Sequence, residues 1–463
     1  MDSARYEEYV SPFSARYTSK EMSHLFSAQF KISTFRKLWT SLAKAEKNLG
    51  LPITRAQIAE LEANIEKIDW KAAENHEKRL RHDVMAHIHA YGDQCPLAKP
   101  IIHLGATSSY VTDNTDLIQL KKALSLLFSK LIHVLRLLSS IAEKEAASPC
   151  LGYTHFQAAQ PTTIGKRACL WLQDFLLDAH EFERAIVSLP FLGAKGATGT
   201  QSSFLALFEG NEAKVKELET LIAHDFGFTK ILPISGQTYT RKLDLNVLNL
   251  LESFSASAHK MATDIRLLAH TGELAETPSD TQVGSSAMPY KRNPIYSERI
   301  CGLARFVMSL SQNPAYTAAT QWLERSLDDS SNRRLSIPES FLGVDAILNL
   351  LAHLLSSLTI NRELALTHLE AQMPQLATEN ILMYAVKKGA DRQDVHERLR
   401  KLSGKSIDEI AKALHLDLKD LQLTPTSLIG RASNQVRDFL YSEVHPFLSR
   451  HKDLSSSIPS IEV

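Results

Sequence analysis

The segment from Asp116 to Ala147 constrains the fold more than any other stretch of this chain. Leu117, Leu120, Leu124, Leu127, Leu131, Val134, Leu138 and Ile141 recur at three- and four-residue spacing, the period of one α-helical face. Leu126, Leu135 and Leu137 widen that stripe, and a helix apolar most of the way round is buried among other helices. Pro149 stops it. Lys121, Lys122, Lys130, His133 and Arg136 interrupt the apolar run, so it does not read as a membrane span, and no membrane partner is expected.

Further long helical patterns follow Pro161 (to about Leu189), Tyr239 (to about Leu274), Pro294 (to about Ala318) and Pro338 (to about Leu358). Residues 22–49 read as another helix, and Thr54 with Gln57 forms a capping-box pattern for the next. No period-2 strand of useful length is visible in the N-terminal part. The expected fold class is all-α with three helical domains: residues 1–107, a central long-helix bundle over 108–360, and a smaller, more charged helical unit over 361–463. Apolar stripes this wide are hard to cover within one chain. The expectation is therefore a homo-oligomer with helices packed across subunits.

Composition narrows the function classes. The chain has 463 residues, with 52 Lys+Arg against 52 Asp+Glu, so no global field favours nucleic acid, and none is expected as a partner. The four cysteines, Cys95, Cys150, Cys169 and Cys301, are scattered without a C-x-x-C pair, which points to free thiols in a reducing compartment. Met1 to Pro12 is polar and lacks the apolar stretch of a secretory signal. A cytoplasmic location is the expectation.

Five polar stretches break the helical periodicity. Gly284-Ser285-Ser286-Ala287-Met288-Pro289-Tyr290-Lys291-Arg292-Asn293-Pro294 lies in a polar run over 276–294, and it offers hydroxyls, a lysine and an amide between long helices. Arg81-His82-Asp83 opens a helix, where Asp83 suits the positive dipole end. His82, His87 and His89 place no clean pair on one helix face, so no metal is expected. Leu104 to Tyr110 sets Thr107, Ser108 and Ser109 before a long helix, as a cradle for a carboxylate. Asp113 and Asn114 stand as alternative caps for that helix. Gly152 to Pro161 carries Thr154 and His155, the latter a proton carrier near neutrality that should face a cavity mouth. Gln321 to Arg334 sets Arg325, Ser330, Arg333 and Arg334 near Asp328 and Asp329, a pattern suited to phosphate.

The Gly284–Pro294 string resembles the signature of the fumarase/aspartase superfamily, and its Tyr-Lys-Arg-Asn-Pro ending is most similar to the adenylosuccinate lyase branch. The other four stretches match that pattern in order over nearly the whole chain, most closely in its animal-type members. Arg81-His82-Asp83 and Arg16-Tyr17 separate this branch from fumarase and argininosuccinate lyase.

The resemblance implies cofactor-independent β-elimination of fumarate. The substrates implied are adenylosuccinate and succinylaminoimidazole carboxamide ribotide, purine nucleotides both. It implies Ser285 as base on carbon, His155 as acid on the leaving nitrogen, Glu298 orienting His155, and Lys291 with Asn293, Thr107 and Ser108 holding the carboxylates. It further implies Arg16, Tyr17, Arg325, Ser330 and Arg334 at the phosphate and ribose. Arg81, His82, Asp83, Thr154, Gln237 and Arg299 complete the pocket. In this superfamily the three main motif regions come from different subunits of a tetramer. A sister fumarate-releasing lyase is the nearest rival reading, and a non-catalytic helical protein on the same scaffold is the other.

Overall fold

The computed structural model describes residues 7, 9–277, 287–288, 290–417 and 421–454. Helices dominate it. We label α1 (Ala28–Asn48), α2 (Asp83–Gln94), α3 (Ser108–Lys144), α4 (Ile164–Ser188), α5 (Lys242–His270), α6 (Ile295–Leu310), α7 (Asp329–Ser357) and α8 (Arg362–Ala371). Two short antiparallel pairs interrupt them: β1 (Pro149–Thr154) with β2 (Gln157–Thr163), and β3 (Leu274–Glu276) with β4 (Leu358–Ile360).

α3, α4, α5, α6 and α7 pack side by side, and one apolar core runs through all of them. Their Leu, Val, Ile and Ala side chains bury the wide stripes noted above. α3 and α7 are long and apolar enough to cross a membrane by length and composition alone. Their apolar windows are 56% and 83% buried within the fold. They are core helices whose partners are other helices. A second, separate core gathers Ile381, Leu382, Val395, Leu399, Ile410 and Leu414. Val436, Leu440, Val444 and Phe447 return to the main core, so the chain folds back onto the bundle before its end.

Three boundaries differ from the sequence reading. α3 begins at Ser108, eight residues before the expected start, and Asp113 and Asn114 lie inside it. Neither is a cap. Asn114 donates to the Tyr110 and Gly193 carbonyls and accepts from the Leu192 and Gly193 amides, which fixes a loop 79 residues away. α7 begins at Asp329, so Ser330, Arg333 and Arg334 sit in its first turns, not in a loop. Pro338 lies within that helix and removes only the bond to the Arg334 carbonyl. The pattern after Pro294 breaks into α6 and a short helix over Gln312–Ala319.

The core also holds a carboxylic acid with no partner. Glu46 on α1 is 0% exposed, and neither carboxylate oxygen meets a donor. Burial raises its pKa from 4.5 to about 9, so it is neutral in the folded chain at pH 7. The folded state therefore holds a proton that the unfolded chain releases above pH 4.5. This contribution to stability is complete below that pH and is lost as pH rises towards 9. Glu46→Gln keeps the shape and removes the ionisation. It should raise stability at pH 8 by on the order of 3 kcal/mol and change it little at pH 4.5. Urea unfolding at both pH values checks this, and an equal shift at the two would contradict it.

Candidate active site

A cavity of about 1170 Å³ opens between the start of α2, the start of α3 and the start of α7. Its lining brings together Arg81, His82, Asp83, Thr107, Ser108, Gln237, Arg325, Ser330 and Arg334, nine of the residues singled out from sequence. The chain must fold tightly to do this. Arg81 closes the preceding helix in the left-handed region at φ 52°, which turns the chain so that His82 can cap α2. The His82 Nδ1 accepts from the Met85 amide at 3.4 Å. Arg334 reaches a carboxylate oxygen of Asp83 at 3.7 Å, across from α7. Thr107 is the residue before α3, yet its side chain caps nothing. Its hydroxyl, with that of Ser108, is left for a ligand at a helix N-terminus, where anions are favoured.

Two loops form a rigid wall beside this entrance. Gln237 donates its backbone amide to the Glu324 carbonyl at 3.0 Å. The backbones approach so closely that a Cβ on Gly236 would lie 2.6 Å from the Glu324 oxygen, and one on Gly199 would lie 1.9 Å from the Ser235 oxygen. Only glycine fits at such crossings. Gln237 and Arg325 are thereby held on facing segments.

Beneath the cavity lies an ion-pair network that the sequence did not reveal. Arg241 bonds Asp113 at 2.8 Å and Asp329 at 2.7 Å. Arg333 bonds Asp244 at 2.7 Å and Asp116 at 2.8 Å, and it also donates to the Tyr239 hydroxyl. Tyr239 donates to Asp244 at 2.6 Å. Burial works against the Arg241 charge, but Asp113, Tyr239 and Asp244 together outweigh it, and the pKa is raised. Four aspartates thus surround the two floor arginines. Lys31, Arg81, Arg325 and Arg334 are further cations that line the cavity. Arg333, which looked like a phosphate ligand, is a structural member of this floor.

His103 is a lining residue that sequence reasoning missed. Trp39 donates its indole N–H to the His103 Nδ1 at 2.9 Å, so the neutral ring carries its proton on Nε2. Burial pushes its pKa down to about 4, with His82 adding to the effect. It is therefore a fixed N–H donor at neutral pH. Its backbone sits at φ 68°, an uncommon region for a non-glycine residue and one that recurs at functional sites.

The remaining expected residues that are among the described ones do not line the cavity of a single chain. Thr154 and His155 stand at the tip of a β-hairpin rather than at the loop entry to a helix. Thr154 pairs with Gln157, and the two turn residues, His155 and Phe156, have φ of 52° and 56°. That is the twist a two-residue hairpin requires, and asparagine or glycine usually supplies it. Their absence here hid the hairpin, as did Gly152 and Pro161 within the strands. The tip is exposed, and Phe156 is 50% exposed.

Lys291 is exposed and Asn293 half-buried just before α6; Glu298 is exposed and Arg299 half-buried in its first turns. No hydrogen bond joins Glu298 to His155 within the chain among the described residues. Arg16 and Tyr17 end a short helical turn, Phe13–Tyr17, which lies against the middle of α7 through Thr18 to Asp345 at 3.0 Å. Ser285 lies outside the described residues. His87 packs against the Trp70 ring, and His89 stacks on His76.

A family model described as a lyase matches residues 4–309. Adenylosuccinate lyase of Schizosaccharomyces pombe is 47% identical, covering 97% of this chain and 97% of its own. That of Saccharomyces cerevisiae is 46% identical over 95% of each, and that of Schistosoma mansoni 44% over 97% of each. This chain belongs to the adenylosuccinate lyase family. An archaeal member, from Pyrococcus abyssi, is 31% identical, so the chain stands nearer the eukaryotic members than this one. Among solved structures, a fumarate lyase from Mesorhizobium and a 3-carboxy-cis,cis-muconate lactonizing enzyme from Pseudomonas putida superpose with TM-scores of 0.78 and 0.79. They are 22% identical, cover 92% and 96% of this chain and 99% of their own, and share the fold.

Proposed function

We propose that this protein is an adenylosuccinate lyase, which splits adenylosuccinate into AMP and fumarate and does the same chemistry on succinylaminoimidazole carboxamide ribotide. The observation that carries this is full-length likeness to the family together with a cavity built for a phosphorylated ligand. Arg325, Arg334 and Ser330 take the phosphate and ribose end, with Arg16 and Tyr17. Arg81, His82, Asp83, Gln237 and Arg299 complete the pocket. Thr107 and Ser108 take a succinyl carboxylate, with Lys291 and Asn293.

The chemistry removes a proton from the succinyl CH₂, next to a carboxylate. Ser285 takes that proton, and the charge that spreads onto the carboxylate is held by Lys291 and the amide and hydroxyl donors. The C–C double bond then forms as the C–N bond breaks. The electron pair goes to the purine nitrogen, and His155, oriented by Glu298, gives it a proton. Thr154 flanks that histidine. The reading requires no metal or organic cofactor.

One chain does not bring His155, Lys291 and Glu298 to its own cavity, which supports a site completed by other copies. A homotetramer is the reading. Leu170 and Leu177 on α4, Phe306 on α6 and Leu335 on α7 are exposed apolar side chains on the bundle, with Leu177 at 61% and Leu335 at 70%. Second copies of the same bundle would cover them. Four buried cysteines without a disulfide fit a cytoplasmic location.

The test is turnover of adenylosuccinate by the purified protein, followed by ultraviolet difference spectroscopy, with argininosuccinate and malate in parallel. Equal release of fumarate and AMP from adenylosuccinate alone is expected. Turnover of argininosuccinate or malate instead would move the protein to a sister branch.

A further inference from the structure

α6 starts in an unusual way. Pro294 stands at its N-cap and supplies no side-chain hydrogen bond to the first amides of the helix. A carboxylate twenty residues upstream bonds two of them. Glu276, the last residue of β3, is 7% exposed. One carboxylate oxygen accepts from the Ser297 amide at 2.9 Å and from the Ser297 hydroxyl at 2.6 Å. The other accepts from the Tyr296 amide at 2.9 Å. A buried negative charge at a helix N-terminus is favourable, and these bonds are charge-assisted.

The carboxylate is itself rigidly placed. β3 pairs with β4 directly after α7, with Glu276 opposite Leu358. The Tyr296 ring packs edge-on against His353 of α7 at 4.6 Å between centroids. The first turn of α6 is thus fixed to α7 through both strands. Lys291, Asn293, Glu298 and Arg299 all lie within six residues of the clamped amides. A rotation of this turn would move Glu298 and the Lys291–Asn293 segment together, while leaving the walls of the cavity as they are.

We propose that Glu276 is a positioning residue for the elimination: it touches no reacting atom and sets the direction from which Lys291, Asn293 and Glu298 leave the fold. This rests on the lyase reading above. A carboxamide cannot replace it, because both carboxylate oxygens accept, and one end of a glutamine would turn N–H groups towards the Tyr296 or Ser297 amide.

The experiment compares wild type, Glu276→Gln and Ser297→Ala on adenylosuccinate, with AMP affinity measured by calorimetry. A wild type that does not turn over would overturn the lyase reading itself, so the two failures are distinguishable. For Glu276→Gln, kcat should fall about 100-fold, as for a catalytic group displaced by about an ångström. AMP affinity should stay within about threefold, because the phosphate cavity is untouched. Ser297→Ala removes one of three bonds and should lower kcat about fivefold with the same split. Should Glu276→Gln fail to fold, Ser297→Ala decides the matter. A kcat within twofold of wild type in the folded variant overturns the proposal. So does a parallel loss of kcat and AMP affinity, the mark of general disruption.

Discussion

Ser285→Ala should lower kcat on adenylosuccinate by about a thousandfold or more, while AMP still binds within about threefold of wild type. The two halves of this expectation come from different parts of the chain. The proposal gives the phosphate end to Arg325, Ser330 and Arg334, which line a cavity that one chain forms by itself. Ser285 belongs to the signature loop, and the proposal gives it no part in holding the phosphate end. Its removal takes away the base for the difficult step, proton loss from carbon, and leaves ground-state binding in place. His155→Ala should show the same split, with a kcat loss of roughly a hundredfold to ten-thousandfold. Steady-state kinetics with calorimetric titration of AMP checks both variants. Loss of AMP binding together with turnover would contradict the assignment.

Arg241→Met should cost about 3–5 kcal/mol of stability, the largest loss expected from a single change outside the core. Arg241 is the shared partner of Asp113 on α3 and Asp329 at the start of α7, and its side chain is 1% exposed. Methionine fills much of the same space but leaves the buried Asp113 without its bonded cation and Asp329 with only Arg325, at 3.7 Å. Breaking a buried pair in this way is far more costly than replacing it whole. The same change should loosen the first turn of α7 and raise KM, because Ser330 and Arg334 stand on that turn. Urea unfolding measures the first effect. A loss below about 1 kcal/mol would mean that water reaches the network and screens it.

The bundle was legible in the sequence because its helices are long and apolar on a broad face. α3, α5 and α7 reveal themselves through leucine spacing alone. Their starts were harder to read. Asp113, Asn114, Ser330 and Arg333 are polar residues inside helices, and polarity near a helix end reads as a cap or a loop. Their partners, Gly193, Arg241 and Asp244, lie tens to hundreds of residues away, where no local pattern points. The hairpin was missed for a different reason. A two-residue turn built from His and Phe gives none of the usual Asn-Gly signal.

Much of the cavity was legible, since eight of its lining residues sit in polar stretches that interrupt apolar periodicity, while Gln237 came from the family resemblance alone. His103 was not. It is a lone histidine before Leu104 and Gly105, and only the Trp39 bond and its place in the cavity distinguish it. Glu276 was equally hidden, because its role depends on amides that follow a long polar segment.

The account turns on a site assembled from more than one copy of the chain, and the direct measurement is complementation. Ser285→Ala and His155→Ala proteins, each inactive, are mixed, dissociated and reassembled. If these residues reach one site from different subunits, some sites receive an intact serine and an intact histidine. Activity should then return to roughly a quarter of the wild-type value under random exchange. Tetramers that exchange subunits, shown by a mass or fluorescence label, yet stay inactive would contradict it.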